Sequence, residues 1–151
     1  MKLVLTSALL LLSASAVLSQ NKFPAHYWSI NGFRNPSIGV EYHHYQVSVH
    51  GGFYTTAFKA GTYTNFVRTG VTWWFAATGN KEIPSSFYAG VSYLHGLNQQ
   101  YKYKSALGVE AGYRWMVWKG LNLRLGGIAV AAKGQSLKFN PTPGISYSFQ
   151  F

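Results

Sequence analysis

The chain has 151 residues, enough for one domain, and no cysteine, so no disulfide staples it and no lipoprotein acylation site follows an export signal. Its 13 basic residues against 3 acids set a formal charge of +10. That charge implies attraction to anionic surfaces such as acidic phospholipids or lipopolysaccharide phosphates, while the scatter of the bases and the export signal argue against nucleic acid.

Met1 and Lys2 form a basic start, and Leu3 to Leu5 with Ala8 to Leu12 form a short apolar run. Small residues follow at Ser13 to Ala16 and at Ser19. The pattern predicts a signal peptide over residues 1–19, cut after Ala16 or Ser19; the apolar run is too short for a transmembrane helix. Residues 20–151 are then one domain. With 17% aromatic residues and 16 glycines, the chain carries more apolar and aromatic side chains than charges, which suits a protein whose outside is lipid.

After Asn21 to Ala25, where Pro24 leaves no room for a helix, His26 to Ile30 reads as a first strand, and Asn31 to Pro36 as a turn-rich loop. Ser37 to His43 alternates, with Ile38, Val40 and Tyr42 on one face and Glu41 and His43 on the other. A short connection at His43-His44 leads to a third strand, Tyr45 to Thr55, and Phe58 to Thr62 can close a hairpin at Gly61. The fourth strand, Tyr63 to Ala76, sets Val67, Val71, Trp73 and Phe75 against Thr64, Arg68, Gly70 and Thr72. Trp74 stands out of that pattern and is expected at the strand's rim.

A turn over Thr78 to Pro84 precedes a fifth strand, Ser86 to His95, and a polar loop, Gly96 to Tyr103. Ser105 to Trp118 is the longest alternation, with Leu107, Val109, Ala111, Tyr113, Trp115 and Val117 opposite Gly108, Glu110, Gly112 and Arg114. Lys119-Gly120 turns the chain into a seventh strand from Leu121, and a loop over Ala132 to Pro143 leads to the last strand, Gly144 to Phe151. Eight such segments predict an all-β, eight-stranded antiparallel transmembrane barrel with up-and-down meander order. In it the final strand pairs with the first to remove both edges.

Glu41, Arg68, Glu110, Arg114 and Arg124 all fall on the polar face. An eight-stranded barrel is wide enough only for side chains to fill it, so these charges are expected to form a paired interior network with His50, Gln46 and Asn122. The competing reading gives one of them a catalytic or ligand role. Tyr27, Trp28, Tyr42, Tyr45, Trp73, Trp74, Tyr93, Tyr113, Trp115 and Trp118 cluster near strand ends and read as interface girdles. Histidines stand at 26, 43, 44, 50 and 95, and with no aspartate only Glu41, Glu82 or Glu110 could orient one. No nucleophile motif stands out and no metal or cofactor is expected; Glu41, His43 and His44 are the nearest approach to a ligand set.

The export signal, the eight strands and the aromatic end at Tyr147, Phe149 and Phe151 resemble the small outer-membrane barrels of Gram-negative bacteria. In that class the last strand with its terminal aromatic is the signal read by the barrel-assembly machinery. Within it, Val49 to Lys59 (VHGGFYTTAFK) and Phe149 to Phe151 are similar to the lipid A palmitoyltransferase family, which holds a phospholipid acyl chain in the barrel and transfers it to lipopolysaccharide. The family continues with Asp-Ser where this chain has Ala60-Gly61, and its histidine falls near Ser29, with His26 as a neighbour.

The expectation is a monomeric outer-membrane barrel with a structural, surface-binding or lipid-binding role, in contact with outer-membrane lipids and lipopolysaccharide. One alternative is a lipid A acyltransferase using His26 or His50 with a serine such as Ser29. The other is a secreted soluble ligand-binding barrel, which requires the alternating apolar face to be buried.

Overall fold

The computed structural model describes residues 22–33, 37–59 and 61–150. The predicted signal peptide, residues 34–36 of the predicted first loop, the Ala60 position and Phe151 lie outside the described residues. Nine strands follow in order: β1 (Tyr27–Gly32), β2 (Ile38–His44), β3 (Val47–Lys59), β4 (Thr62–Thr78), β5 (Ser85–Gly96), β6 (Ser105–Trp118), β7 (Leu121–Ala132), β8 (Lys138–Pro141) and β9 (Gly144–Phe149). One turn of 3-10 helix, Gln99–Tyr101, sits between β5 and β6.

Each strand from β1 to β7 pairs antiparallel with the next. β8 and β9 both lie against β7 in one register, Gly127 opposite Pro141 and Arg124 opposite Gly144. They are two halves of one eighth stave. β9 then pairs with β1, from Trp28 opposite Phe149 to Gly32 opposite Ile145, and closes the wall. The result is an eight-staved antiparallel barrel in meander order, as the alternation predicts.

The last loop is shorter than its sequence suggests. β8 lies inside the stretch read as irregular, with Phe139 exposed and Asn140 donating through Nδ2 to the Tyr54 hydroxyl (3.5 Å) and to Thr56 Oγ1. Pro141 and Pro143 hide it from a periodicity search, because Pro143 has no N–H to give the ladder and splits the stave. The Thr142 N–H still reaches Gly126 O (2.8 Å) across that join. The second connection is also displaced, to Tyr45-Gln46, where Tyr45 takes the left-handed φ of 50° that so tight a turn requires.

The outer face is apolar: Ile30, Val40, Val49, Val71, Val91, Val109, Leu125 and Ile145 are all exposed. The inner face carries the polar groups, and it is capped at both ends by apolar side chains. At the end where β1 begins and β9 finishes, the terminal end, Tyr27 packs with Ile83 and Met116, and Phe23 with Trp74 and Tyr88. At the opposite end, Tyr54, Phe66, Leu94, Ile128 and Val130 pack around Tyr101, which the loop after β5 folds back over the opening.

Tyr27 and Trp74 therefore correct the girdle assignment, since both are buried inside. Trp74 is in phase with Arg68 and Thr72 on the inner face of β4, not out of the alternation. What makes an inner indole acceptable is its surroundings. Its Nε1–H donates to Ser48 Oγ (2.8 Å), and the guanidinium carbons of Arg114 and Arg124 lie 4.1 and 4.9 Å from its ring centroid.

Glycines make room for these large groups. Gly112 and Gly126 face one another across β6 and β7, and a Cβ on either would collide with the Tyr88 hydroxyl and with the opposite strand's backbone. Neither the tyrosine nor the backbone can give way cheaply. Gly112→Ala is expected to lower the unfolding free energy in detergent by about 1–3 kcal/mol. Gly127→Ala, where a Cβ meets only ordinary contact at 3.7 Å, should stay within about 0.5 kcal/mol. Urea titration followed by tryptophan fluorescence measures both.

Candidate functional site

The polar interior is organised around the Glu41 carboxylate, which β2 aims inward. Its Oε2 accepts from Arg124 Nη2 on β7 (2.6 Å) and from Asn31 Nδ2 on β1 (3.2 Å), while Oε1 accepts from Ser48 Oγ on β3. Asn31 Oδ1 in turn accepts from Ser146 Oγ on β9 (2.6 Å). One carboxylate thus links three staves directly and the closing stave through Asn31. Arg124 and Glu41 are both buried, so charge-assisted bonds replace the water each has lost.

A second group forms deeper along β4 to β6. Arg68 Nη2 donates to Glu110 Oε1, and Arg68 Nε to Ser92 Oγ (3.0 Å). His50 sits beside them, with Nε2 3.4 Å from Ser92 Oγ and Nδ1 3.3 Å from Thr72 Oγ1. Gly70 and Gly90 leave the space this group fills: a Cβ at Gly70 would meet His50 Nε2 at 2.9 Å, and one at Gly90 would meet Glu110 Oε1 at 3.4 Å.

Arg114 has no carboxylate. It donates through Nη1 to the Tyr27 hydroxyl (2.9 Å) and through Nη2 to Pro84 O (3.2 Å) and Ser86 Oγ (3.3 Å), with the Trp74 ring against its face. Glu110 and Arg114, four apart on β6, do not pair; the register places Arg68 opposite the fifth stave instead, where it reaches Glu110. Asn122 donates to Ser148 Oγ (3.1 Å) and Gly120 O (3.3 Å) near the terminal end. The Gln46 backbone carbonyl accepts from the Trp74 N–H (2.7 Å).

The sequence candidates for catalysis separate. His26 is exposed on the terminal rim, His50 is buried in the middle of the barrel, and Ser29 is buried on β1. Ser29 instead meets His43, a pairing the one-dimensional spacing does not reveal, with Ser29 Oγ 3.0 Å from His43 Nε2 and 2.8 Å from Ser148 Oγ. Glu41 Oε2 lies 3.7 Å from the same His43 Nε2. That is not a nucleophile–base–acid relay, in which the acid holds the nitrogen the serine does not use. Here the serine and the acid crowd one nitrogen, and His43 Nδ1 has no hydrogen-bond partner. Tyr27 also stacks on the imidazole at 3.9 Å, 11° from parallel, and leaves that face closed.

Glu41, His43 and His44 do not converge either, because β2 sends Glu41 and His43 inward and leaves His44 exposed. Among the described residues, no group of three or more histidine, cysteine or acidic side chains is placed to hold a metal. Of the concavities found among the described residues, two are the most voluminous. One, of about 640 Å³, lies at the terminal rim between Ile83, Trp118 and Phe149. The other, of about 590 Å³, lies beside the split in the eighth stave between Phe33, Trp115 and Pro143.

Comparison with protein-family models, with curated proteins and with solved structures finds no match for this chain.

Removing one member of a buried pair leaves the other charged and unpaired, which costs about 3–5 kcal/mol. Glu41→Gln and Arg124→Gln should each destabilise the barrel by that order, and the double variant should lose clearly less than the sum. A urea-unfolding double-mutant cycle in micelles reads the difference.

Proposed function

We propose that this protein is a small outer-membrane β-barrel whose interior is a packed structural core and whose role lies at its surface, in contact with lipid and lipopolysaccharide. The observation that carries the reading is the inversion of polarity: Glu41, Arg68, Glu110, Arg114 and Arg124 are buried, while a belt of valine, leucine, isoleucine and aromatic side chains encircles the outside. A water-soluble barrel has no use for such a belt, which far exceeds the apolar patches tolerated on soluble monomers. A bilayer matches it. The soluble ligand-binding alternative needs that face covered, and it is exposed.

Charge placement supports the same setting. Two of the three acids, Glu41 and Glu110, are inside the barrel, and Glu82 lies in the connection at the terminal end. The opposite rim therefore presents exposed Lys102, Lys104 and Lys133 with no acid among them. With the termini in the periplasm, that rim meets the outer leaflet, where lysines attract lipid phosphates. Tyr147 and Phe149, with Phe151 beyond, are then the segment that the barrel-assembly machinery would read, and a self-closed wall suits a monomer.

The acyltransferase reading draws less support, because Ser29 and His43 are sealed inside, while His26 has Tyr42 and His44 as its polar neighbours. Mass spectrometry of lipid A from cells with and without the gene is expected to show identical acylation.

In the outer-membrane setting, Val91→Arg, at the middle of β5, should cost about 2–4 kcal/mol when the barrel folds into lipid vesicles. Equal stability of the variant, or recovery of the wild type as a soluble periplasmic protein without heat-modifiable gel migration, would sink the membrane reading.

A further inference from the structure

Three of the five histidines, His26, His44 and His95, lie outside the interior, and the fold brings the first two together. His26 immediately precedes β1 and His44 ends β2. The β1–β2 ladder sets Tyr27 opposite His43, both pointing inward, so the next positions outward along each strand, 26 and 44, meet on the outer side of the wall. A second tie holds the entering chain there: the Tyr45 N–H donates to both Pro24 O (3.2 Å) and Ala25 O (3.3 Å), across the tight β2–β3 turn.

The two imidazoles face each other through the same atom. His44 Nδ1 is 3.4 Å from His26 Nδ1, with ring centroids 4.8 Å apart. The Tyr42 hydroxyl lies 2.6 Å from His26 Nδ1, and both histidines are exposed. A separation of 3.4 Å is long for a direct N–H···N hydrogen bond. It is the span of two ligands on one tetrahedral ion, since metal–nitrogen bonds of about 2.0–2.1 Å at a tetrahedral angle separate the nitrogens by roughly 3.3–3.4 Å.

We propose that His26 and His44 form a divalent transition-metal site on the terminal rim, binding through both Nδ1 atoms, with His26 Nδ1 giving up its hydrogen bond to the Tyr42 hydroxyl for the ion. Imidazole nitrogen selects copper, nickel or zinc over magnesium or calcium; the tetrahedral span suits zinc, and copper(II), which prefers tetragonal geometry but stands highest in the affinity order, serves as the spectroscopic probe. The chain supplies two imidazoles, so the remaining positions stay open to water and the ion exchanges readily. The other histidines do not compete. His43 and His50 are buried, and His95 sits on the outer face at the opposite end of the barrel.

The test uses the tag-free barrel in detergent micelles, titrated with copper sulfate, zinc sulfate or magnesium chloride. Copper(II) electron paramagnetic resonance should show coupling to two imidazole nitrogens. His26→Ala and His44→Ala should each weaken copper binding by about tenfold or more and remove one coupled nitrogen, while His95→Ala leaves both unchanged. Heat-modifiable migration checks that each variant is folded, which their exposed positions favour. Wild-type copper affinity in both variants, no coupled nitrogen, or equal competition by magnesium overturns the proposal.

Discussion

An eight-staved wall encloses only enough space for side chains, and every polar group turned inward must find its partner among the others. Glu41 is where this constraint is concentrated. It collects donors from β1, β3 and β7, so a single carboxylate couples staves far apart in the chain. Arg124 then leans on Trp74, and Trp74 donates back to the serine that donates to Glu41. The loop of interactions returns to its origin, and its members keep one another in place.

The third guanidinium shows how far such a core departs from simple charge pairing. Arg114 has a carbonyl, two hydroxyls and an indole face, and the interior thus holds one cation more than it holds acids. Arginine tolerates this because its charge is spread over a plane that both stacks and donates. The glycines of β4 to β7 are the counterpart. They remove side chains where Tyr88, His50 and Glu110 lie flat against the wall.

The period of two made the staves and their faces legible, because one face is apolar and the other is glycine, serine and charge in nearly every segment. Ser105 to Trp118 and the Lys119-Gly120 turn are found where the alternation places them. Less legible was anything decided by register. Whether Glu110 meets Arg68 or Arg114, and that Ser29 reaches His43, depends on how far each stave slides past its neighbour, which no single segment encodes. Trp74 misleads for a different reason. An aromatic near a strand end reads as a girdle residue unless the two arginines that receive it, on β6 and β7, are known to face the same space. β8 is missed because proline breaks the ladder without ending the stave.

The seam between β1 and β9 has a consequence for how the chain reaches this state. Ser29 and Ser148, whose hydroxyls meet there, are 119 positions apart in the chain. Neighbouring staves elsewhere join through short connections and can find each other locally, but the ring is complete only when its two ends meet. Until then both edges stay open, with an apolar face on each stave and unpaired backbone along the margins. A chain in that condition invites aggregation until its last stave meets its first. The feature that makes the finished wall edgeless is the one that makes its precursor vulnerable.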